Sequence, residues 1–155
     1  MWRTSSKEFL ISLMDNLSAE NRAKTMRAVK SKGSKIESAV SKSLWSAGFR
    51  FRKNVETLPG CPDIAIKKYK FVLFVDSCFW HGCKEHCSIP KSNVEYWNRK
   101  IRRNVERDNE ITSYYVHEEW TILRIWEHDL RSAFEEIISS IILVLDNLKS
   151  HYSRR

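Results

Sequence analysis

The sequence has 155 residues, of which 42% are hydrophobic and 30% are charged, and its net charge is +8. This length and composition indicate one globular domain and exclude a disordered chain. The sequence has no apolar run long enough to span a membrane and no signal-peptide layout, since Glu8 and Asp15 bracket the short apolar stretch 9–14. We therefore expect an intracellular protein whose cysteines are not paired as disulfides.

The positive charge is concentrated in the N-terminal part of the chain. Residues 1–60 hold twelve Lys and Arg against five Asp and Glu, whereas the remaining residues hold fifteen against fourteen. A basic segment beside a nearly neutral body indicates a polyanionic partner, with nucleic acid as the first candidate, although such charge also serves solubility alone. We expect a leader at 1–15 and one domain at 16–155. That domain would begin with a basic helix over about 18–30, which carries Arg27 and Lys30.

Helical and strand periodicities alternate from residue 34 onward. Ser34 and Glu37 form a capping-box pattern, which predicts a helix that Gly48 ends. Strands are predicted at 49–55, 63–66, 71–76 and 120–126, a hairpin turn at 67–70, and helices at 93–116 and from Leu130 to Leu145. The strand at 71–76 is continuously apolar and is therefore expected to be central. Interspersed helices and strands predict an α/β fold.

Three of the four cysteines, Cys78, Cys83 and Cys87, lie within ten residues of one another. A structural Zn²⁺ site takes four such ligands, so a fourth must come from elsewhere. His128 is a candidate because it follows the strand at 120–126. His86 is the local competitor: it would complete the four without His128 or take the place of Cys87. Buried, inert cysteines are the alternative, but an irregular loop over 77–90 needs something to order it.

The carboxylates on either side of the predicted hairpin are candidates for a second metal site. Asp63 begins one strand and Asp76 ends the next, so both lie at one end of the hairpin, where they suit Mg²⁺; ordinary strand-end aspartates are the alternative. Glu37 fits its capping box and also lies near the site if its helix packs on the sheet. His81 follows in the cysteine-rich loop and would be held beside Asp76 as a general acid or base, although loop histidines are more often surface residues or ligands.

Three aromatic residues accompany these groups, namely Phe79, Trp80 and Trp97. Most aromatic side chains belong to a hydrophobic core. Beside a DNA-binding site, however, apolar side chains wedge between base pairs and kink the duplex. The spacing of these residues does not choose between the two interpretations.

Five stretches of the sequence resemble the very short patch repair endonucleases. They are ENRAKTMRAVKSKGSKIE, LPGCPDIAI, FVLFVDSCFWHGCKEHC, PKSNVEYWNRKIRRNVERD and WTILRIWEHDL, and the similarity runs from about Asn16 to Leu130. The resemblance implies a restriction-endonuclease-like fold with a central mixed β-sheet flanked by helices and a structural zinc site. It implies Mg²⁺-dependent nicking of duplex DNA on the 5′ side of the thymine in a T:G mismatch, which arises when 5-methylcytosine deaminates.

The resemblance also implies roles for the candidate site residues. Asp63 would be the principal Mg²⁺ ligand, His81 the catalytic histidine and Glu37 an acidic helper. Asp76 would occupy a second active-site position, which is His in some members. The fourth zinc ligand of the family is usually Cys in the motif WEC, where this chain has His128.

The remaining implied roles concern DNA. Phe79, Trp80 and Trp97 resemble aromatics that intercalate beside the mismatch. Met26 resembles a residue that enters from the minor groove, and Asn104 one that contacts the mismatched pair. We further expect a monomer located in the cytoplasm, associated with the nucleoid when bound to DNA, with mismatch-repair proteins as further partners. The rival hypotheses are a restriction-type nuclease of other specificity and a non-catalytic zinc DNA-binding module.

Overall fold

The structure is a computed structural model that describes residues 34–154. The predicted leader, the basic helix at 18–30 and Met26, Arg27 and Lys30 lie outside the described residues. The elements are α1 (Lys35–Ser46), β1 (Arg52–Lys53), β2 (Ile64–Ile66), a 3₁₀ helix (Lys67–Tyr69), β3 (Phe71–Asp76), α2 (Val94–His117), β4 (Thr121–Trp126), α3 (Glu127–Ser132) and α4 (Phe134–Ser153).

A mixed four-stranded sheet in the order β1-β2-β3-β4 forms the centre of the described residues. β2 pairs antiparallel with β3 through the predicted hairpin, and β3 pairs parallel with β4 after the crossover made by α2. The α/β architecture with flanking helices is thus confirmed, as is the internal position of β3, which has a neighbouring strand on each side.

The two faces of the sheet carry different helices. Phe71 and Leu73 of β3 point to one face, where they pack with α1 and α4 through residues such as Val40 and Ile141. The alternate residues Val72 and Phe74 point to the other face, where they pack against Tyr115 of α2. Because both faces are covered, β3 is apolar along almost its whole length.

The start and stop of α1 follow the sequence prediction. The Ser34 side chain accepts a hydrogen bond from the Glu37 amide at 3.2 Å, as a helix N-cap does. Beyond the helix, Gly48 has a φ of +91°, and the Phe49 amide bonds to the Leu44 carbonyl at 3.1 Å. This is a Schellman-type ending, for which glycine is the favoured residue.

Two predicted elements differ from the structure. The strand predicted at 49–55 is reduced to Arg52–Lys53. Asn54 has a φ of +48°, which is not an extended conformation, although the Asn54 and Val55 amides still bond to the Asp63 and Pro62 carbonyls. The single final helix predicted from Leu130 is divided at Ala133, whose φ and ψ of −138° and 46° are not helical. This break lets α3 follow β4 directly while α4 lies along the sheet.

The turn that precedes β2 is fixed from α2. The buried Tyr115 hydroxyl donates a 2.8 Å hydrogen bond to the Pro59 carbonyl. Next to it, Gly60 has a φ of +75°, and a Cβ there would lie 2.8 Å from Ile111. α2 therefore determines where the turn delivers the residues that follow, including Asp63.

Replacing Tyr115 by Phe should lower the free energy of unfolding by about 1.5 kcal/mol, since it leaves the partly buried Pro59 carbonyl without its donor. The measurement is a urea titration followed by circular dichroism. Tyr114→Phe is the matched control. The Tyr114 side chain is 45% exposed, so this substitution should change the free energy of unfolding by less than about 0.5 kcal/mol. Equal unfolding midpoints for the two variants would show that the turn is not held by this bond.

Candidate active site and metal-binding cluster

Asp63 lies at the end of the turn, directly before β2. Its Oδ2 accepts a 2.8 Å hydrogen bond from the Val75 amide of the neighbouring strand. Burial raises the pKa of Asp63 to about 6, and the charges of Glu37 and Asp76 add to that rise, while the Val75 bond and His81 oppose it. Asp63 is therefore a partly buried carboxyl that lies among other acidic groups and within electrostatic reach of an imidazole.

Glu37 reaches this site from the first turn of α1. Its amide belongs to the helix cap, and its charge raises the pKa of Asp63. The sequence predicted that α1 approaches the carboxylates if it packs on the sheet, and α1 does pack on the sheet. A group of acidic side chains at one point is an arrangement that a bound cation stabilises.

Asp76, at the end of β3, is held by an ion pair. Arg124 of β4 donates to both of its oxygens, from Nε at 2.7 Å and from Nη2 at 2.8 Å. Asp76 is buried, so this bidentate ion pair is its principal interaction. Arg124 thus supplies a positive partner of Asp76, and joint Mg²⁺ ligation by Asp63 and Asp76 stays a prediction.

His81 lies beside these groups, as predicted from its place in the loop. Its Nδ1 is 2.5 Å from Oδ2 of Asp108 on α2 and 3.6 Å from Oδ1 of Asp76. The loop is bent at this point by backbone bonds from the His81 amide to the Ser77 carbonyl and from the Cys83 amide to the Cys78 carbonyl. An imidazole paired through Nδ1 with a carboxylate has its Nε2 available for proton transfer.

Sequence reasoning missed both Asp108 and Arg124. Arg124 also lies 3.0 Å from Asp108 and so joins the two carboxylates. Burial raises the pKa of Asp108, but its contacts with His81 and Arg124 outweigh burial, so the net pKa is lowered. The sequence did contain a sign of these two residues: Asp108 continues the apolar stripe of α2, and Arg124 interrupts the apolar strand TILRIW. A charge in such a position needs a buried partner.

A second cluster lies just beyond the ends of β3 and β4. Ligand atoms of Cys78, Cys83, His86 and His128 all lie within 4.8 Å of one another. The His128 Nδ1 is 3.2 Å from the Cys78 sulfur and 3.8 Å from the Cys83 sulfur, and the His86 Nδ1 is 3.7 Å from the Cys83 sulfur. Tetrahedral zinc, with bonds of about 2.0–2.3 Å, places its ligand atoms about 3.3–3.8 Å apart. Three of the separations between ligand atoms, at 3.2 to 3.8 Å, are close to that range.

The surroundings of the cluster agree with a cation site. Burial raises the pKa of the Cys78 thiol to about 11, with Cys83 adding to the rise. A dication would reverse this effect, since thiolates are its ligands. On the other side of the His128 ring, Nε2 lies 3.2 Å from a carboxylate oxygen of Asp129. Such an outer partner leaves Nδ1 free to face the sulfur atoms.

Cys87, predicted as a ligand, lies outside this cluster. Its sulfur donates to the Phe79 carbonyl at 3.6 Å, and its side chain packs against the cluster of Phe79, Trp97 and Ile101. One turn of the loop, with the Cys87 amide bonded to the Cys83 carbonyl, brings His86 to the metal-binding side instead. Of the two arrangements that the sequence left open for His86, the structure has the one in which it takes the place of Cys87.

The three aromatics singled out in the sequence form one cluster. Their ring centroids lie 4.9 to 6.0 Å apart, from Phe79 to Trp80, Phe79 to Trp97 and Trp80 to Trp97. Phe79 and Trp97 are only 4% and 6% exposed, whereas Trp80 is partly exposed. Two of the three predicted wedges are therefore core residues in this structure.

A basic face of α2 lies beside Trp80. Asn104 donates to the Trp80 carbonyl at 3.0 Å, and the Lys100 ammonium lies 5.1 Å from the Trp80 ring centre. A groove on this face is lined by Tyr96, Arg99, Lys100, Arg103, Asn104 and Arg107. Cations spaced along one side of a helix suit a phosphate backbone.

Comparison with known proteins identifies a family and several relatives of this chain. The family model described as DNA mismatch endonuclease Vsr matches residues 14–88. The chain is 44% identical to the type II nicking enzyme V.NmeDIP of Neisseria meningitidis serogroup C, over 76% of this chain and 80% of that protein. It is 40% identical to the type II nicking enzyme V.HpaIIP of Haemophilus parainfluenzae, over 76% and 85% of the two chains.

A further relative carries the name of the family itself. The chain is 37% identical to the DNA mismatch endonuclease Vsr of Escherichia coli strain K12, over 71% of each protein. The residues that the family model matches include the turn before β2 and, in the metal-binding cluster, Cys78, Cys83 and His86. The chain therefore belongs to the DNA mismatch endonuclease Vsr family.

Proposed function

We propose that the chain is a Mg²⁺-dependent endodeoxyribonuclease that nicks duplex DNA 5′ of the thymine in a T:G mismatch left by deamination of 5-methylcytosine. We include in this proposal a restriction-endonuclease-like fold. The observation that carries it is the arrangement at the end of β3, where Asp63 accepts from the Val75 amide and the His81 Nδ1 lies 3.6 Å from a carboxylate oxygen of the next residue, Asp76. The names of the family and of its E. coli member support the mismatch as target.

Asp63 is the proposed magnesium ligand. Its oxygens are hard donors of the kind that Mg²⁺ prefers, and the nearby charge of Glu37 raises its pKa, which a cation would counter. When bound, Mg²⁺ would neutralise charge on the scissile phosphate. Glu37 would orient the hydration around the ion. Asp76 takes part in the site as the ion-pair partner of Arg124.

His81 is the proposed proton-transfer group. Asp108 accepts from its Nδ1, so Nε2 is the nitrogen that would take a proton from water or give one to the leaving oxygen. The bent loop between Cys78 and Cys83 supports the position of this ring, which is why we propose a structural zinc ion for that cluster.

The basic face of α2 is the proposed DNA interface. Arg99, Arg103 and Arg107 are spaced by four residues and would hold phosphates without reading sequence, so binding should weaken with salt. Trp80 is the accessible member of the aromatic cluster and would enter the duplex first, with Phe79 and Trp97 behind it. Opening the duplex for these rings would cost less deformation energy at a T:G pair than at a matched pair. Monomeric state, cytoplasmic location and mismatch-repair partners remain predictions.

The purified protein should nick a T:G duplex in the presence of Mg²⁺ and leave the matched T:A and C:G duplexes intact. Asp63→Ala should reduce nicking to below about 1% of wild type while keeping duplex affinity, because only the reacting centre is changed. Gel mapping of the nick and fluorescence anisotropy measure the two quantities. Asp146→Ala, which removes a carboxylate from the exposed side of α4, is the control and should nick normally.

Two results would contradict this proposal. Equal cleavage of matched and mismatched duplexes would favour a restriction-type nuclease. DNA binding without Mg²⁺-dependent cutting would favour a zinc DNA-binding module.

Mass spectrometry under native conditions should find one zinc ion per chain. Cys83→Ser should lose it and unfold at a lower temperature, because a structural zinc ligand contributes directly to folding. Cys87→Ser should keep it, since the Cys87 sulfur bonds to the Phe79 carbonyl instead. Loss of zinc in both variants would return Cys87 to the ligand set and overturn the assignment of His86.

Asp63→Asn should stabilise the magnesium-free protein at pH 7.5. The pKa of Asp63 is raised from 3.8 to about 6 in the folded state, so folding favours the neutral form. The neutral carboxyl therefore stabilises the folded state below about pH 4. This stabilisation is lost as the pH rises through 6 and the carboxyl ionises. Its loss amounts to at most about 3 kcal/mol, at about 1.4 kcal/mol per pKa unit.

Thermal unfolding with and without Mg²⁺ measures this effect. Mg²⁺ should raise the melting temperature of the wild type and leave that of Asp63→Asn unchanged. At pH 4, where the wild-type carboxyl is already protonated, the difference between the two proteins should shrink. A variant that is less stable than wild type at pH 7.5 would show that the carboxylate is not under electrostatic strain.

A further inference from the structure

Arg124 forms ion pairs with both Asp76 and Asp108. In the parallel ladder it pairs with Phe74, so the two residues share a face, and its guanidinium lies 4.9 Å from the Phe74 ring centre. From there it reaches diagonally to Asp76, two residues further along β3. α2 closes over it with Asp108. Three elements thus fix the position of one guanidinium.

The geometry assigns its donors to particular oxygens. Both oxygens of Asp76 accept from Arg124, at 2.7 and 2.8 Å. Of the two Asp108 oxygens, Oδ1 lies 3.0 Å from the guanidinium, and Oδ2 lies 2.5 Å from Nδ1 of His81. The imidazole therefore has two carboxylates within reach, and Arg124 occupies every oxygen except the one that His81 uses.

We propose that Arg124 is a positioning residue for His81. By holding Asp76 and Oδ1 of Asp108, it leaves Oδ2 of Asp108 as the single acceptor for the His81 Nδ1–H, and so keeps the imidazole in one tautomer with Nε2 free. This inference rests on the proposed function of His81 in proton transfer. Arg124 itself touches neither DNA nor the reacting atoms in this scheme.

Stability alone does not explain Arg124. Its Nη1 is buried without a hydrogen-bond partner among the described residues. An unsatisfied buried donor is costly, and a buried ion pair is often no more stable than apolar residues of similar size. The planar fork of arginine, however, holds two carboxylates at fixed angles, which a lysine ammonium does not do. The arrangement therefore fits orientation better than net stabilisation.

The test compares Arg124→Gln with wild type in zinc-loaded, magnesium-free protein. Long-range ¹⁵N–¹H spectra of the histidine rings report the tautomer directly, and His81→Gln identifies the His81 signals. The wild type should show His81 with its proton on Nδ1, and Arg124→Gln should show a mixture of tautomers. In single-turnover nicking of the T:G duplex, the variant should lose about 100-fold in rate, as misoriented catalytic groups do, with its duplex affinity unchanged.

Arg50→Gln is the matched control. Arg50 also lies over an aromatic ring, 4.0 Å from the centre of Trp45, and donates to the backbone carbonyls of Trp45 and Phe49. It should change neither the spectra nor the nicking rate. If Arg124→Gln fails to fold, the double variant Asp76→Leu with Arg124→Leu removes the pair as a neutral unit. It should fold and still lose the single tautomer, because Asp108 is no longer held.

The outcomes separate this inference from the proposed function. A variant without Arg124 that keeps one His81 tautomer and the full nicking rate would overturn the positioning role while leaving the nuclease assignment intact. A wild type that does not nick the T:G duplex would overturn the proposed function, and the imidazole spectra would still decide whether Arg124 sets the tautomer. An equal loss of duplex affinity and rate would also count against positioning, since it would indicate a DNA contact.

Discussion

The parallel pairing of β3 with β4 is the constraint on which the rest of the site depends. Its register places Phe74 opposite Arg124 and Asp76 opposite Trp126. A shift of one residue would move Arg124 to the other face, among the apolar contacts of α1 and α4, and would leave Asp76 without its cation. The same register makes the two strands end together, so that the chain after β3 meets His128 after β4. One ladder thus aligns both the ion-pair network and the metal-binding cluster.

Much of this could be predicted from the sequence because the relevant signals are local. The cap at Ser34 depends on residues within one helical turn, and the hairpin between β2 and β3 depends on two short apolar runs joined by a turn. The proximity of His81 to Asp76 also followed from a short chain separation. His128 was identified because the end of its strand is visible in the sequence, even though its partner cysteines lie far away along the chain.

The features that were not predicted depend on three-dimensional packing. His86 and Cys87 are neighbours, and both residue types can bind zinc. The turn of the loop backbone decides which of the two side chains faces the cluster. Asp108 and Arg124 are separated from each other by a helix end and a strand, and no spacing rule joins them. They would have been suspected only by asking which charges interrupt an apolar stripe. That question identifies a buried polar network but not its connections.

The burial of Phe79 and Trp97 constrains how the proposed DNA complex forms. Each aromatic side chain gains about 1.5–3 kcal/mol from burial, so moving these rings into water would be unfavourable. Moving them from the protein core into a base stack exchanges one apolar contact for another, and most of that stabilisation is kept. The rings can therefore leave the core only where a base step opens at the same time. A weakly stacked mismatch would then be selected because opening its base step costs less free energy. The free energy of moving the rings out of the protein core is the same for every DNA sequence.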